Sequence, residues 1–196
     1  MENIAQFKWE IPLEHRIHKV ELKHDLKSNQ VKINVDGKET LQCKMRESNE
    51  SDVFKVETLS CNFKIEKIDN MFHYSITVDG KSFRGYKKEY MKRFDMWRKE
   101  GKEVLVVYDR YNHVLYGNGK LVAPRHDFVS DGCMTYFEVD ENNCHIETVS
   151  SPITKTLMNV LYINNWEVPV CVDKEEEVFT HAVPPPTKGF NWRAWF

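Results

Sequence analysis

The sequence predicts an all-β protein made of two tandem antiparallel β-sandwich domains that are related by an internal duplication. Two observations carry this prediction: short segments alternate apolar and polar residues, and four of them break at a two-residue turn. Asp-Gly and Asn-Gly accept positive φ at both central positions of a type I′ turn, whose twist matches that of the flanking strands. We therefore expect four β-hairpins, at Asp36-Gly37, Asp79-Gly80, Asn118-Gly119 and Asn164-Asn165.

A longer correspondence groups the four hairpins into two copies of a unit of about 80 residues. In the first copy Phe54 precedes Cys61 by seven residues, and in the second copy Phe137 precedes Cys144 by the same distance. The predicted organisation is an N-terminal sandwich over 1–88, a linker over 89–102, a C-terminal sandwich over 103–172 and an extended tail over 173–196.

Within each copy the strands are predicted from alternation with a period of two. Val31, Ile33 and Val35 alternate with polar residues, which gives one buried face and one wet face. The unbroken apolar run over 104–108 (VLVVY) predicts instead a strand that is covered on both faces. Because no amphipathic helix separates the strands of a copy, an antiparallel sandwich or barrel is favoured over a parallel βαβ sheet.

The region between the copies holds the helical candidate. Aromatic residues recur there at spacings of four, four and three: Tyr86, Tyr90, Phe94 and Trp97. Such spacing is typical of the apolar face of a helix, and the region is rich in Lys and Arg. A short basic helix is therefore predicted for the linker, with the alternative that Trp97 already begins the next strand.

Beyond residue 172 the composition is that of a tail. An acidic run over 173–177 is followed by three prolines over 184–186 and by an aromatic end. Prolines favour an extended polyproline II conformation, and large aromatic side chains are typical anchors of protein interfaces. We expect the tail either to dock onto its own domain or to bind a partner protein. The candidate protein-binding residues are Phe190, Trp192, Trp195 and Phe196.

Composition and charge argue against several classes of protein. Lys and Arg number 28 against 30 for Asp and Glu, so the strongly basic balance of a nucleic-acid-binding protein is missing. The densest apolar segment, 104–108, is far shorter than the roughly 20 residues that span a bilayer, and no signal-like segment precedes it. Five cysteines, with no CxxC pair, argue against a disulfide framework and a zinc knuckle. We expect a cytoplasmic protein that neither binds nucleic acid nor inserts into a membrane.

Motifs for a catalytic, cofactor or metal site are not found in the sequence: it contains no GxSxG, HExxH or GxxxxGK[ST] pattern. His18 and His24 share a strand face but lie about 20 Å apart along it, too far to bind one ion. Cys61 and Cys144 lie among alternating apolar residues and are expected to be buried and unreactive. Cys133, in a turn-like segment, is the better redox candidate. We expect no cofactor, no metal and no enzyme activity.

Several short segments follow one another in a fixed order from Trp9 to Pro169 and so cover most of the chain. They are Trp9, 18–24 (HKVELKH), 35–39 (VDGKE), 74–82 (YSITVDGKS), 118–120 (NGK), 127–132 (DFVSDG), 144–146 (CHI), 149–151 (VSS) and 167–169 (EVP). VDGK alone is a generic hairpin, so the order and spacing of the segments are what is specific. In this order and spacing the sequence resembles the Fas apoptotic inhibitory molecule family.

This resemblance implies two all-β domains that are not interleaved, and a function without catalytic residues. It implies a protein that opposes apoptosis triggered by death receptors and supports cell survival through protein partners of those pathways. It also implies that the protein limits the build-up of aggregated protein under stress. An alternative function is therefore that of a holdase, which shields misfolded clients through the edge strands of its sheets. The sequence does not indicate whether the chain is a monomer or a dimer.

Overall fold

In a computed structural model, the structure describes residues 3–45, 52–99, 101, 104–130, 132–151, 156–171 and 179–182. These residues form eighteen strands and one helix. The elements are β1 (Ile4–Pro12), β2 (Ile17–Asp25), β3 (Gln30–Val35), β4 (Lys38–Lys44), β5 (Val53–Val56), β6 (Leu59–Ile68), β7 (Met71–Val78), β8 (Lys81–Ser82), α1 (Phe83–Arg93), β9 (Phe94–Lys99), β10 (Val104–Asp109), β11 (Val114–Gly117), β12 (Lys120–Val122), β13 (Arg125–Val129), β14 (Gly132–Val139), β15 (Asn142–Ser150), β16 (Leu157–Ile163), β17 (Trp166–Val168) and β18 (Phe179–Ala182).

The strands form four antiparallel sheets, which confirms the predicted all-β fold class. Within each sheet, neighbours in space are mostly neighbours in sequence. The orders are β1-β2-β3-β4, β18-β7-β6-β5, β12-β11-β10-β9 and β13-β14-β15-β16-β17. The strand β18 belongs to residues 173–196, which the sequence analysis described as an extended tail that either docks onto its own domain or binds a partner protein. Its four residues pair with β7.

All four predicted hairpins are present. Both central residues of each turn have positive φ, between 46° and 81°, as a type I′ turn requires. Two further turns share this geometry: Asp69-Asn70 joins β6 to β7, and Asp140-Glu141 joins β14 to β15. The second of these was not predicted, because Glu is not among the residues that favour positive φ.

The first residue of three of these turns also holds a neighbouring strand. The side-chain oxygen of this turn residue accepts a hydrogen bond from the backbone N–H of a residue in the neighbouring strand. In return, the backbone N–H of the turn residue donates to the carbonyl of that same strand residue. The pairs are Asp79 with Ser60 (2.8 Å), Asn118 with Leu105 (2.7 Å) and Asn164 with Asn143 (3.0 Å), the distances being those of the side-chain bonds. Ser60 and Asn143 each precede the cysteine of the sequence repeat, so the two copies share this bond, which is compatible with a duplication.

The chain forms two compact units, and each is discontinuous in sequence. The first unit comprises Met1–Lys8, Val20–Gly80 and Glu176–Phe196, and the second comprises Trp9–Lys19 and Lys81–Glu175. These units divide the chain at other residues than the predicted domains do. They do not test whether either part folds alone, so the domain boundaries remain a prediction.

The core of the first unit is formed by the inward faces of its strands. Along β2, Val20, Leu22 and His24 alternate with less buried residues, as the pattern of period two predicts. The His24 Nδ1 lies 2.9 Å from the Tyr74 hydroxyl, and its ring meets the ring of Phe72 edge-on at 5.2 Å. Since Tyr74 and Phe72 belong to β7, the two sheets of this unit pack face to face.

The second unit buries one large hydrophobic cluster between its two sheets. Strands β9 to β11 contribute one side of the cluster, and β14 to β17 contribute the other. Trp97 is its largest member and is fully buried, and its indole Nε1 has no hydrogen-bond partner among the described residues. The other members are Val104, Val106, Leu115, Phe137, Val139, Cys144, Ile146, Leu161, Ile163 and Val168.

The opposite face of β10 is covered as well. Val107 packs there with Tyr90 of α1 and Phe94 of β9 in a second, smaller cluster. The successive residues Val106 and Val107 are therefore both buried, on opposite faces of the sheet. This confirms the prediction that the apolar run over 104–108 is a strand covered on both faces.

The predicted linker helix exists, but it is shorter than the aromatic spacing indicated. It begins after Ser82, whose hydroxyl accepts a hydrogen bond from the Gly85 N–H (3.1 Å), and it ends at Arg93. Phe94 already has extended backbone angles and pairs with Asp109 of β10. Trp97 thus lies inside β9, as the alternative held, because pairing with β10 outweighs continuation of the helix.

An ion pair between the half-buried Arg93 and the buried Asp109 fixes the end of α1 to the sheet. The Arg93 Nε donates to both carboxylate oxygens of Asp109 at 3.1 Å. The backbone N–H groups of Tyr111 and Asn112 donate to the same carboxylate. These bonds, led by that of Arg93, lower the pKa of Asp109 from 3.8 to about 2. Arg110 adds a bond from its Nη2 to the Met91 carbonyl (2.6 Å), one of the last carbonyls of the helix.

We predict that Asp109→Asn destabilises the second unit by about 2 kcal/mol, because charge-assisted hydrogen bonds to a buried carboxylate are lost. The folded pKa of Asp109 lies below its ordinary value, so its contribution to stability is present above pH 3.8 and disappears as the pH falls towards 2. Urea unfolding at pH 7 and between pH 4 and 2 measures both effects. A stability difference between variant and wild type that persists unchanged to pH 2 would contradict this account.

Candidate functional site

A groove in the second unit is the candidate functional site. It has a volume of about 560 Å³ and opens to solvent. Its walls come from the end of β1, the beginning of β2, α1, β9 and the segment over 167–171. The sequence analysis did not find this groove, because its residues are distant in sequence and form no motif.

Two sets of hydrogen bonds position the walls of the groove. The hydroxyl groups of Tyr86 and Tyr90 on α1 donate to the carbonyls of Pro12 (2.6 Å) and Leu13 (2.9 Å), respectively. They hold the connection from β1 to β2 against the helix. The spacing of Tyr86 and Tyr90 was the signal for the helix in the sequence, but it could not indicate which carbonyls the hydroxyl groups would reach.

The opposite wall follows β17 and is attached to β9. The Cys171 N–H donates to the Met96 carbonyl (2.8 Å), and Val170 forms an antiparallel bridge with Trp97. The residues that follow β17, the last strand of the five-stranded sheet, therefore lie along the edge of β9. Because Trp97 is part of the core, this wall is anchored to the most buried part of the unit.

The lining of the groove is apolar with charged groups among it. Its apolar residues are Pro12, Ile17, Met91, Met96, Val168, Pro169 and Val170. Among the charged residues, the Arg98 Nη1 contacts both carboxylate oxygens of Glu10 (3.0 and 3.2 Å). Lys87 lies with its Nζ 4.7 Å from the centre of the Phe83 ring. Flexible methionine side chains adapt to differently shaped apolar ligands, so this lining suits an apolar segment of a polypeptide.

The thiol of Cys171, which also lines the groove, is poorly suited to nucleophilic chemistry. Burial raises its pKa, and Glu10 raises it further, against the opposing effect of Arg98. The thiol form therefore prevails at neutral pH, whereas nucleophilic attack needs the thiolate. The arrangement supports binding better than covalent catalysis.

Cys61 and Cys144 are buried, as the sequence analysis expected, and burial raises the pKa of Cys61 to about 12 and that of Cys144 to about 11. Cys133 is only partly buried, but it lies in strand β14, opposite Phe128 of the neighbouring strand, and not in the predicted turn. Its redox role remains a prediction.

The histidines of β2 are buried members of a strand. The Arg16 Nε donates to the His18 Nε2 (3.0 Å), and His24 contacts Tyr74 and Phe72. Among the described residues, no group of three or more His, Cys, Asp or Glu side chains is placed to hold a metal ion. Within the residues that the structure describes, no helix is long and apolar enough to cross a membrane.

The four predicted protein-binding residues of the tail lie outside the described residues. Their role therefore remains a prediction. They are Phe190, Trp192, Trp195 and Phe196.

We predict that Cys133 reacts faster than Cys61 and Cys144 with a thiol reagent in the native protein. The reason is access, since Cys133 is partly exposed while the other two are buried and keep their protons. Labelling with iodoacetamide, followed by peptide mass spectrometry, gives the three rates separately. Single Cys→Ser variants serve as controls for assignment, and faster labelling of either buried thiol would overturn the order.

Comparison with known proteins identifies relatives over most of the chain. A sequence model of the family "Fas apoptotic inhibitory molecule" matches residues 5–171. Fas apoptotic inhibitory molecule 1 of Mus musculus is 28% identical over 171 residues, covering 82% of this chain and 94% of the relative. The Homo sapiens protein of the same name is 27% identical over 168 residues, with the same coverage. The match includes every wall of the groove and ends before β18. The chain therefore belongs to the Fas apoptotic inhibitory molecule family.

Proposed function

We propose that this protein inhibits apoptosis triggered by death receptors, and that it does so in the cytoplasm by binding other proteins rather than by catalysis. The observation that carries the proposal is the family match over residues 5–171, since the named relatives are apoptotic inhibitory molecules. The raised pKa of the groove thiol and the apolar lining support a binding role. Partners are therefore proteins of survival or death-receptor signalling.

The groove of the second unit is the proposed contact site for such a partner. Its lining offers apolar area for a partner side chain and charged groups for orientation, the combination that interface pockets use. Val170 is the residue to change, because its side chain lines the groove and is 40% exposed. A charged side chain at this position would face an apolar segment of a partner protein in the groove and would not be buried in the core.

We predict that expression of the wild-type chain lowers caspase activation several-fold in cells treated with a death-receptor ligand. Val170→Arg should lose most of this protection, because it places a cation in the apolar groove. Leu121→Arg is the matched control, since Leu121 is 72% exposed on β12 and does not line the groove. Caspase activity at equal protein levels is the measurement.

The possible outcomes separate the two parts of this proposal. Failure of the wild-type chain to protect the cells contradicts the proposed function. Protection by Val170→Arg equal to that by wild type contradicts only the role of the groove.

One observation favours a second function, that of a holdase for aggregating proteins. The strand β13 is an edge of its five-stranded sheet, all five of its residues are exposed, and Phe128 is 89% exposed. An exposed edge strand can pair with a strand of another chain, and an exposed aromatic residue adds apolar contact.

We predict that the purified chain slows fibril growth of an unrelated amyloid peptide at a substoichiometric ratio. Phe128→Glu should weaken this effect several-fold, whereas Tyr111→Glu should not, because Tyr111 is also an exposed aromatic residue (71%) but lies in a turn. Thioflavin fluorescence over time gives the rates. An absence of any effect at an equimolar ratio would dispose of the holdase function.

A further inference from the structure

We propose that the edge of β7 that faces away from β6, over residues 71–74, is an acceptor site for an extended strand of another protein, and that β18 occupies this site within the chain until a partner strand displaces it. This interaction surface is distinct from the groove and from β13. The proposal rests on the pairing, the aromatic contacts, the exposure of β18 and the position of the family match.

The pairing is that of a strand added to the edge of a sheet. Phe179 to Ala182 run antiparallel to β7 in continuous register, from Phe179 opposite Tyr74 to Ala182 opposite Met71. The other edge of β7 pairs with β6 over its whole length. The order β18-β7-β6-β5 therefore joins three strands from adjacent parts of the sequence and one strand that is added from about a hundred residues away.

An aromatic contact anchors the added strand. The ring of Phe179 stacks on that of Phe7 at 5.0 Å with an angle of 21° between the planes, and Phe7 lies 4.4 Å from Tyr74. The Tyr74 hydroxyl is fixed in turn by His24. The acceptor therefore has a preformed aromatic surface, which favours one aromatic residue at the position of Phe179.

The occupant is held more loosely than the acceptor. None of the four residues of β18 is buried: Phe179 and His181 are half-buried, and Thr180 and Ala182 are exposed. In β7, by contrast, Phe72 and Tyr74 are buried. Because β7 keeps its full pairing with β6, the strand can leave without unfolding the sheet.

The family match separates the acceptor from its occupant. Residues 5–171 include Phe7, His24 and all of β7, whereas β18 begins at Phe179. The acceptor is thus built from family sequence, and the segment that fills it lies beyond that sequence. This division is expected for a binding edge to which a covering segment has been appended.

The partner is therefore an extended, uncharged segment. It carries an aromatic residue opposite Tyr74 and, two positions later, a residue that can lie opposite Phe72. The sequence of β18 itself, Phe-Thr-His-Ala, is one such segment. A segment tethered to its own acceptor has an effective concentration on the order of millimolar. A partner strand from another protein must compete with the tethered β18 for the edge of β7. The presence of β18 therefore lowers the apparent affinity of this edge for such a partner.

The test uses the full-length chain and a fluorescent peptide that spans residues 177–184 (EVFTHAVP). The variant Thr180→Pro with His181→Pro lacks two successive backbone N–H groups. Since alternate N–H groups of a strand face its neighbour, one of the two lost groups is the donor to β7, and β18 can no longer pair. We expect this variant to bind the peptide at least tenfold more tightly than wild type by fluorescence anisotropy. The control Thr180→Ser, at an exposed position that keeps its N–H, should behave as wild type.

A second peptide, with Ala in place of Phe179, tests the aromatic anchor and should bind at least tenfold more weakly to the double-proline variant. Absence of saturable binding to that variant, with near-ultraviolet circular dichroism unchanged, would overturn the proposal. So would equal binding to wild type and variant, since the peptide would then bind elsewhere.

Hydrogen exchange of the wild-type chain tests whether β18 can leave β7 without the rest of the sheet, even where the proline variant fails to fold. Of the successive amides of Thr180 and His181, only one bonds to β7, and we expect it to exchange at least tenfold faster than those of Cys61 and Phe63 in the central strand β6. Equal protection of β18 and β6 would show that β18 opens only with the whole sheet, and would contradict displacement by a partner.

Discussion

The architecture depends on backbone turns in which two successive residues have positive φ. Six such turns join adjacent strands of the described chain, and each allows the chain to reverse within two residues. An L-residue with a Cβ resists this conformation, and Asp, Asn and Gly tolerate it best. Reversal within two residues fixes the register of each hairpin, and the register decides which side chains face the core.

The same turns connect strands beyond their own hairpin. The side chain of Asn118 bonds to the backbone of β10, and that of Asn164 bonds to the backbone at the start of β15. A single residue therefore both permits the reversal and links a third strand to it. Asp79 does the same in the first unit. This repeated bond explains why the local sequence of the turns carried so much information about the sheets.

The sequence was informative where structure depends on neighbours in the chain. The Asp-Gly and Asn-Gly turns, the alternation along β2 and the two-sided burial of β10 are local patterns, and the structure has all of them. The end of α1 was not predictable from spacing, because the pairing of Phe94 with Asp109 depends on a strand that comes later. The groove depends on contacts such as that between Tyr90 and Leu13, 77 residues apart, for which no local pattern exists. The strand β18 was hidden because acidic residues and prolines surround its four residues.

The burial of the indole rings has a spectroscopic consequence. Trp9 and Trp97 are both buried, Trp166 is largely exposed, and all three belong to the second unit. The described residues of the first unit contain tyrosine and phenylalanine but no tryptophan. Emission from these three indoles therefore reports on the second unit, and Trp97, shielded from water and without a partner for its N–H among the described residues, should contribute its bluest component. A melt followed through these three indoles could look complete while the first unit had yet to change state.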